Sequence, residues 1–213
     1  MPPKPQPRHP IQGAGRGVGA LLQFKITWTG IRPPIWRRVQ VPEGLFLSGL
    51  HDVIQEVMGW TDSHVHDLHW REERFGLPDP EFDEERMVDA RTVTRKELGL
   101  SIKDRLAYMY DFGDGWEHGL TLEKVLEAGE HQTPVCLKGP RACPPEDCGG
   151  AWGYTNLLEI LKDPTHEEYE QWKTWLPEDF DPEQCDLAEV NSALSVRQWT
   201  IAPPARKGRR KKV

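Results

Sequence analysis

Two short runs concentrate the residue types that do chemistry. Tyr108–His118 reads YMYDFGDGWEH and Arg141–Gly150 reads RACPPEDCGG. The first offers Asp111, Asp114, Glu117 and His118, and the run Ser63–Trp70 adds His64, His66 and His69. A set of histidines and carboxylates drawn from two strands can bind a divalent metal or carry out acid–base catalysis. Strand alternation predicts that His64 and His66 share a face and that His69 lies on the other. If the runs form one surface, the PPEDCGG loop packs near the hairpin and the His64–His66 strand. Glu146, Asp147, Asp111, Asp114, His118 and His66 then meet in one concavity, a polar cleft to which His64, Arg37 and Trp116 also contribute. The physical reason is restraint, because Pro/Gly-rich loops are useful where side chains must be held in place. Each residue also has a plainer role. Asp114 suits a turn between glycines, Asp111 can accept backbone N–H groups at a strand end, and His118 falls where a hydrogen-bonded core histidine would.

The cysteines raise a second chemistry. Cys143 and Cys148, with Cys136 upstream, are candidate zinc ligands. Zinc asks for four ligands at tetrahedral angles, so Cys185 or His131 would have to complete the set. The competing reading is a rigid loop, with Pro144-Pro145 fixing backbone angles, Glu146 and Asp147 capping the next turn, and Gly149-Gly150 freeing the chain to enter a helix. No cofactor other than such a zinc is expected. The nine tryptophans are spread over every predicted element, which favours core and interface over base stacking. Arg37 and Arg38, beside Trp36, alternate across a strand, so one faces solvent and the other lines a polar pocket.

The elements that must position these groups follow from periodicity. Leu22, Phe24, Ile26 and Trp28 alternate with polar residues, giving a half-buried strand, and Ile35–Val41 follows at hairpin distance. Leu47, Leu50, Val53, Ile54, Val57 and Met58 fall at helical spacing, with Gly59 at the left-handed C-cap position. Val65–Trp70 reads as a third strand and residues 76–90 as a loop. Arg105–Val125 reads as a hairpin turning at Gly113-Asp114-Gly115. Tyr108, Tyr110 and Phe112 share one face of its first strand, and Trp116, His118, Leu120 and Leu122 share one face of the return. Helices are expected around Tyr154–Leu161 and Tyr169–Leu176, and from an Asp181 N-cap followed by Pro182. Strands early and helices late argue an α+β fold: an antiparallel sheet with hairpins in the first 125 residues, packed by one early helix and about three C-terminal helices. The domain is expected to span 20–200, between disordered tails at 1–19 and 201–213.

Charge separates the tails from the body. The net charge of the 213 residues is −7, with +3 in residues 1–17 and +6 in residues 205–213, which leaves −16 for the rest. An acidic body repels phosphate backbones. Nucleic-acid contact therefore falls to the C-terminal tail, through Arg206, Lys207, Arg209, Arg210, Lys211 and Lys212. No run approaches the ~20 apolar residues of a membrane span, and no signal peptide is visible. A cytoplasmic protein with reduced thiols, partnered by another protein or by nucleic acid and not by a membrane, is the expectation.

Five motifs occur in order: PPIWRRVQVP; LHDVIQEVMGW followed by SHVHDLHW; YMYDFGDGWEHGLTLEKVL; PVCLKGPRACPPEDCGGAWGY; and DPEQCDLAEVNSAL. On these, from about Leu21 to Leu194, the chain resembles the Ri-plasmid ORF-3 family, whose members include insertion-element passenger proteins called TnpR. The resemblance implies a prokaryotic, mobile-element-associated α+β domain and no established catalytic mechanism. Recombinase activity does not carry over. Arg37, Arg38 and Arg141 are the only arginines inside the motifs, and no basic recognition helix is visible. The leading expectation is a non-enzymatic binding or accessory protein of a plasmid or mobile element. Its alternatives are a metal-dependent enzyme centred on His66, Asp111, Asp114 and His118, and a zinc-stabilised nucleic-acid-binding module.

Overall fold

A computed structural model describes residues 19–79, 87–127 and 133–202. The fold is α+β. Eight strands form one sheet: β1 (Ala20–Trp28), β2 (Trp36–Pro42), β3 (His66–Trp70), β4 (Glu73–Gly76), β5 (Met87–Asp89), β6 (Arg105–Tyr110), β7 (Trp116–Glu127) and β8 (Val135–Lys138). Their spatial order is β5-β4-β3-β6-β7-β1-β2-β8. Every pair is antiparallel except β4 with β5, which is parallel. Five helices accompany the sheet: α1 (Leu47–Met58), α2 (Arg95–Leu98), α3 (Gly150–Ile160), α4 (Tyr169–Trp175) and α5 (Leu187–Val196).

The core is built by the alternation expected of β1, where Leu22, Phe24, Ile26 and Trp28 are all buried. The apolar stripe of α1 lies in the same core. Gly59 ends α1 in the left-handed conformation, and its N–H donates to Gln55 O. On β7, Trp116, His118, Leu120 and Leu122 are buried together, as their spacing requires. Among the described residues no helix is long and apolar enough to cross a membrane.

Four local expectations are corrected. Residues 76–90 are not simply a loop, since Met87–Asp89 adds a strand beside Glu73–Gly76. Strand β8 and helix α2 were not visible as patterns, because four residues are too few to establish a period. Phe112 does not continue the face of Tyr108 and Tyr110. Asp111 adopts φ 53°, which breaks the alternation and leaves Phe112 exposed in the turn. The last helix begins at Leu187, capped by Asp186, whose Oδ1 accepts from the N–H groups of Ala188 and Glu189 at 2.8 and 3.0 Å. Asp181 closes a separate turn, accepting from Glu183 N and Gln184 N. Pro182 O accepts from Ala142 N, so that turn is tied to the cysteine loop instead of continuing into a helix.

Residues 1–18 and 203–213, which make up most of the expected tails and include Arg206–Lys212, lie outside the described residues, as does His131 in the cysteine hypothesis. Ile201 and Ala202, placed in the tail by the sequence, instead join the body, Ile201 bridging to Leu45 and Ala202 N donating to Gly44 O.

Candidate functional site

The polar site lies where the C-terminal end of α1, the start of β3, the β6–β7 turn and the loop before α3 converge. Its floor is aromatic. Trp60 stacks on Tyr110 with centroids 4.9 Å apart and meets His118 edge-on at 5.4 Å. Trp60 Nε1 also donates to Pro144 O at 2.9 Å, fastening the PPEDCGG loop over this floor.

On α1, His51 and Gln55 stand four residues apart and so share a face. Both are buried among apolar residues. The chain turns back after Gly59, with Asp62 at φ 58°. Asp62 N donates to Gln55 Oε1 at 2.9 Å, which leaves the Gln55 amide nitrogen to donate to Tyr108 Oη at 3.1 Å. Tyr108 Oη then donates to His51 Nδ1 at 2.9 Å, and His51 Nε2–H donates to Asp62 Oδ1 at 2.8 Å. The imidazole of His66, the first residue of β3, lies face to face on His51, with centroids 3.4 Å apart and planes 6° from parallel. One ligand atom from each of His51, Asp62 and His66 lies within 4.8 Å of the others. Burial, with His51 adding to it, pushes the pKa of His66 down to about 4, and burial lowers that of His51 as well. Both rings are therefore neutral at pH 7, each with one ring-nitrogen lone pair, and that of His51, on Nδ1, is taken by the Tyr108 hydroxyl.

A second set stands beside the first, with the Tyr110 ring in contact with a histidine of each. His64 Nε2 is 3.3 Å from Asp147 Oδ1, and His64 Nδ1 is 3.7 Å from Asp111 Oδ2. Glu146 accepts from Thr61 N at 3.0 Å, from Thr61 Oγ1 at 2.6 Å and from the Tyr110 hydroxyl. Asp114 Oδ2 accepts from Gly149 N at 3.1 Å. Six non-glycine residues among those described have positive φ, and Asp62, Asp111 and Asp147 are three of them. Every carboxylate of the two sets thus sits in a backbone conformation that costs a residue with a Cβ on the order of 1 kcal/mol. Such outliers collect where neighbours over-determine the geometry, often at functional sites.

The loop does pack on the hairpin, and it gathers Asp111, Asp114, Glu146, Asp147 and His64. His66 belongs instead to the set with His51 and Asp62, because β3 begins at His66 and the predicted alternation does not reach back to His64. His69 lies on the opposite face of β3 from His66, as predicted, where its Nε2 is 3.0 Å from Asp67 Oδ2. His118 and Trp116 lie below the site in the core. His118 Nδ1 hydrogen-bonds Trp116 O at 3.0 Å, the residue is 1% exposed, and burial pushes its pKa down to about 4. Arg37 is also a core residue. It donates to Val57 O, Pro140 O, Arg141 O and Cys143 Sγ and so clamps the start of the loop. Arg38 pairs with Glu123 Oε2 at 2.6 Å. Cys143 sits under the clamp against Met58 Sδ, and burial raises the thiols of Cys136 and Cys143 to about 11 and that of Cys148 to about 12. Among the described residues no cysteine joins a set of three converging ligand atoms.

Sequence reasoning missed His51, Asp62 and Tyr108. The available signal was a pair of polar residues, His51 and Gln55, inside the apolar stripe of α1, a placement that demands buried hydrogen-bond partners.

The description of the plasmid pRiA4b ORF-3-like protein family fits residues 20–189. The chain belongs to that family. It is 38% identical over 201 residues to the uncharacterized protein y4hQ of Sinorhizobium fredii (strain NBRC 101917 / NGR234), covering 91% of this chain and 99% of that one. The crystal structure of MM3350 from Methanosarcina mazei Go1, a protein of unknown function, superposes with a TM-score of 0.73 at 37% identity, over 80% of this chain and 97% of that one.

Proposed function

We propose that this member of the pRiA4b ORF-3-like family is a metal-dependent protein whose centre is His51, Asp62 and His66. The observation that carries this reading is the convergence of two neutral imidazoles and one carboxylate within 4.8 Å, on side chains from α1, its following turn and β3. Two histidines and a carboxylate suit a first-row transition ion and leave coordination positions open. His51 Nδ1 is already engaged by Tyr108, which Gln55 holds in turn, as metal-bound imidazoles commonly are by an outer partner. An ion between His51 Nε2 and Asp62 Oδ1 would require the other tautomer of His51, with the ring proton moved to Nδ1, where it would donate to Tyr108 Oη. The stacked rings hold their lone pairs in parallel planes, so His66 must tilt off His51 to share the ion. An ion with open positions can acidify a bound water, and metal-assisted hydrolysis is the chemistry the site supports. A purely protein-binding accessory role gives no reason for this buried polar arrangement.

The test is zinc titration by calorimetry on the full metal-stripped chain, with folding checked by circular dichroism. Wild type and His69→Ala should bind a tight zinc equivalent, since His69 lies on the other face of β3. Asp62→Asn and His66→Ala should weaken that equivalent by at least about tenfold, the lower end of what losing even an outer partner costs. Wild-type-like binding by both folded variants overturns the proposal.

A further inference from the structure

We infer that His64, Asp111 and Asp147 form a second cation site, for a hard-to-borderline divalent ion of the Mn2+ class, on three residues that lie outside the strands and helices. The inference stands independently of the first centre. His64 lies in the turn before β3, Asp111 opens the β6–β7 turn, and Asp147 sits in the loop before α3. One ligand atom from each lies within 4.8 Å of the others. These atoms face each other without satisfying one another. His64 Nε2 is shielded from solvent and makes no hydrogen bond, although Asp147 Oδ1 is only 3.3 Å away, because the two are not aligned.

The surrounding contacts leave this trio free for an ion and hold it in place. Asp111 spends Oδ1 on the hairpin turn, accepting from Gly113 N at 2.9 Å and Asp114 N at 3.3 Å, so Oδ2 is the oxygen presented to His64. Asp147 is positioned from both sides. Glu146 is locked to Thr61 and Tyr110, and Gly149 N donates to Asp114. Two carboxylates beside one imidazole lean towards oxygen-preferring ions while still accommodating a borderline one, which is the Mn2+ preference.

The placement has a consequence for the whole site. The segment Asp62–His66 supplies Asp62 and His66 to one set and His64 to the other. A cation on His64, Asp111 and Asp147 cross-links the hairpin tip and the PPEDCGG loop to the segment that carries the first centre.

Mn2+ titration of the full chain, followed by electron paramagnetic resonance of the free ion, tests this. His64→Ala and Asp147→Asn change side chains at the rim, so loss of folding is not expected, and melting curves check it. Each should remove one Mn2+ equivalent or weaken it at least about tenfold, and Asp62→Asn should leave that equivalent in place. Mn2+ binding unchanged in both rim variants overturns the inference. Loss of the equivalent in Asp62→Asn alone also overturns it, by assigning the Mn2+ to the first centre.

Discussion

Residues 139–143 and residues 144–150 belong to one loop, yet its two halves are held differently. The first half is fastened from below by Arg37, a side chain only 2% exposed, whose guanidinium donates to the carbonyls of Pro140 and Arg141 and to the Cys143 thiol. Arg141 adds donations to Pro33 O and Glu183. The second half is held mainly by carboxylates at the rim, through Glu146 on Thr61 and Tyr110 and Asp114 on Gly149. A run of twelve residues that looks like one motif therefore divides into an anchor and a working edge. The anchor fixes the backbone, so the edge can keep a carboxylate such as Asp147 exposed and short of partners.

Breaking the anchor should have the largest effect. Arg37→Met keeps the volume but leaves the carbonyls of Val57, Pro140 and Arg141 without their donor. Each orphaned buried acceptor is costly, so the variant should lose on the order of 3 kcal/mol or more in urea denaturation. A midpoint equal to wild type would mean that the first half of the loop is not anchored by this cation.

Acid should act next, on the core and the rim together. The folded-state pKa of His118 is lowered from 6.5 to about 4 by burial, as is that of His66. Below pH 6.5 the unfolded chain takes up protons that the folded chain refuses until about pH 4. Stability therefore falls as pH drops through that window and is independent of these groups above it. For fully buried His118 the loss is on the order of 3 kcal/mol. Denaturation midpoints of the metal-free chain across the window measure the slope. His66→Gln should make it shallower without abolishing it, because His118 persists; an unchanged slope would place His66 outside the buried stack.

The smallest effects separate strain from contact at the working edge. Gly115 and Gly150 both have positive φ, at 69° and 66°. A Cβ on Gly115 meets nothing within 4 Å, whereas one on Gly150 collides with Asp114 O. Gly150→Ala should cost roughly 2 kcal/mol, from the left-handed backbone and the collision together, and Gly115→Ala about 1 kcal/mol from the backbone alone. Equal melting temperatures for the two would show that the hairpin tip and the loop do not press on one another.

Much of the frame was legible in the chain, because periodicity reports which face of an element is buried. The alternation of β1 and β7, the apolar stripe of α1 and its Gly59 cap are local consequences of side-chain spacing. So was the meeting of the PPEDCGG loop with the hairpin, which concentrated acids, prolines and glycines pointed to. The clamp on Arg37 was not legible, since its partners at Pro140 and Arg141 lie more than a hundred residues away and are main-chain carbonyls that any residue carries.

By itself, then, the sequence determined the α+β class, the family, the main strands and helices, and the regions where polar chemistry collects. Only the tertiary structure decided how the histidines and carboxylates sort. It sent His118 into the core, gave His66 to His51 and Asp62, and turned His64 towards Asp111 and Asp147. The physical reason is that burial and ligand geometry depend on which distant segments meet and on backbone reversals at single residues. A left-handed Asp62 or Asp111 redirects a side chain without leaving any periodic signature in the sequence.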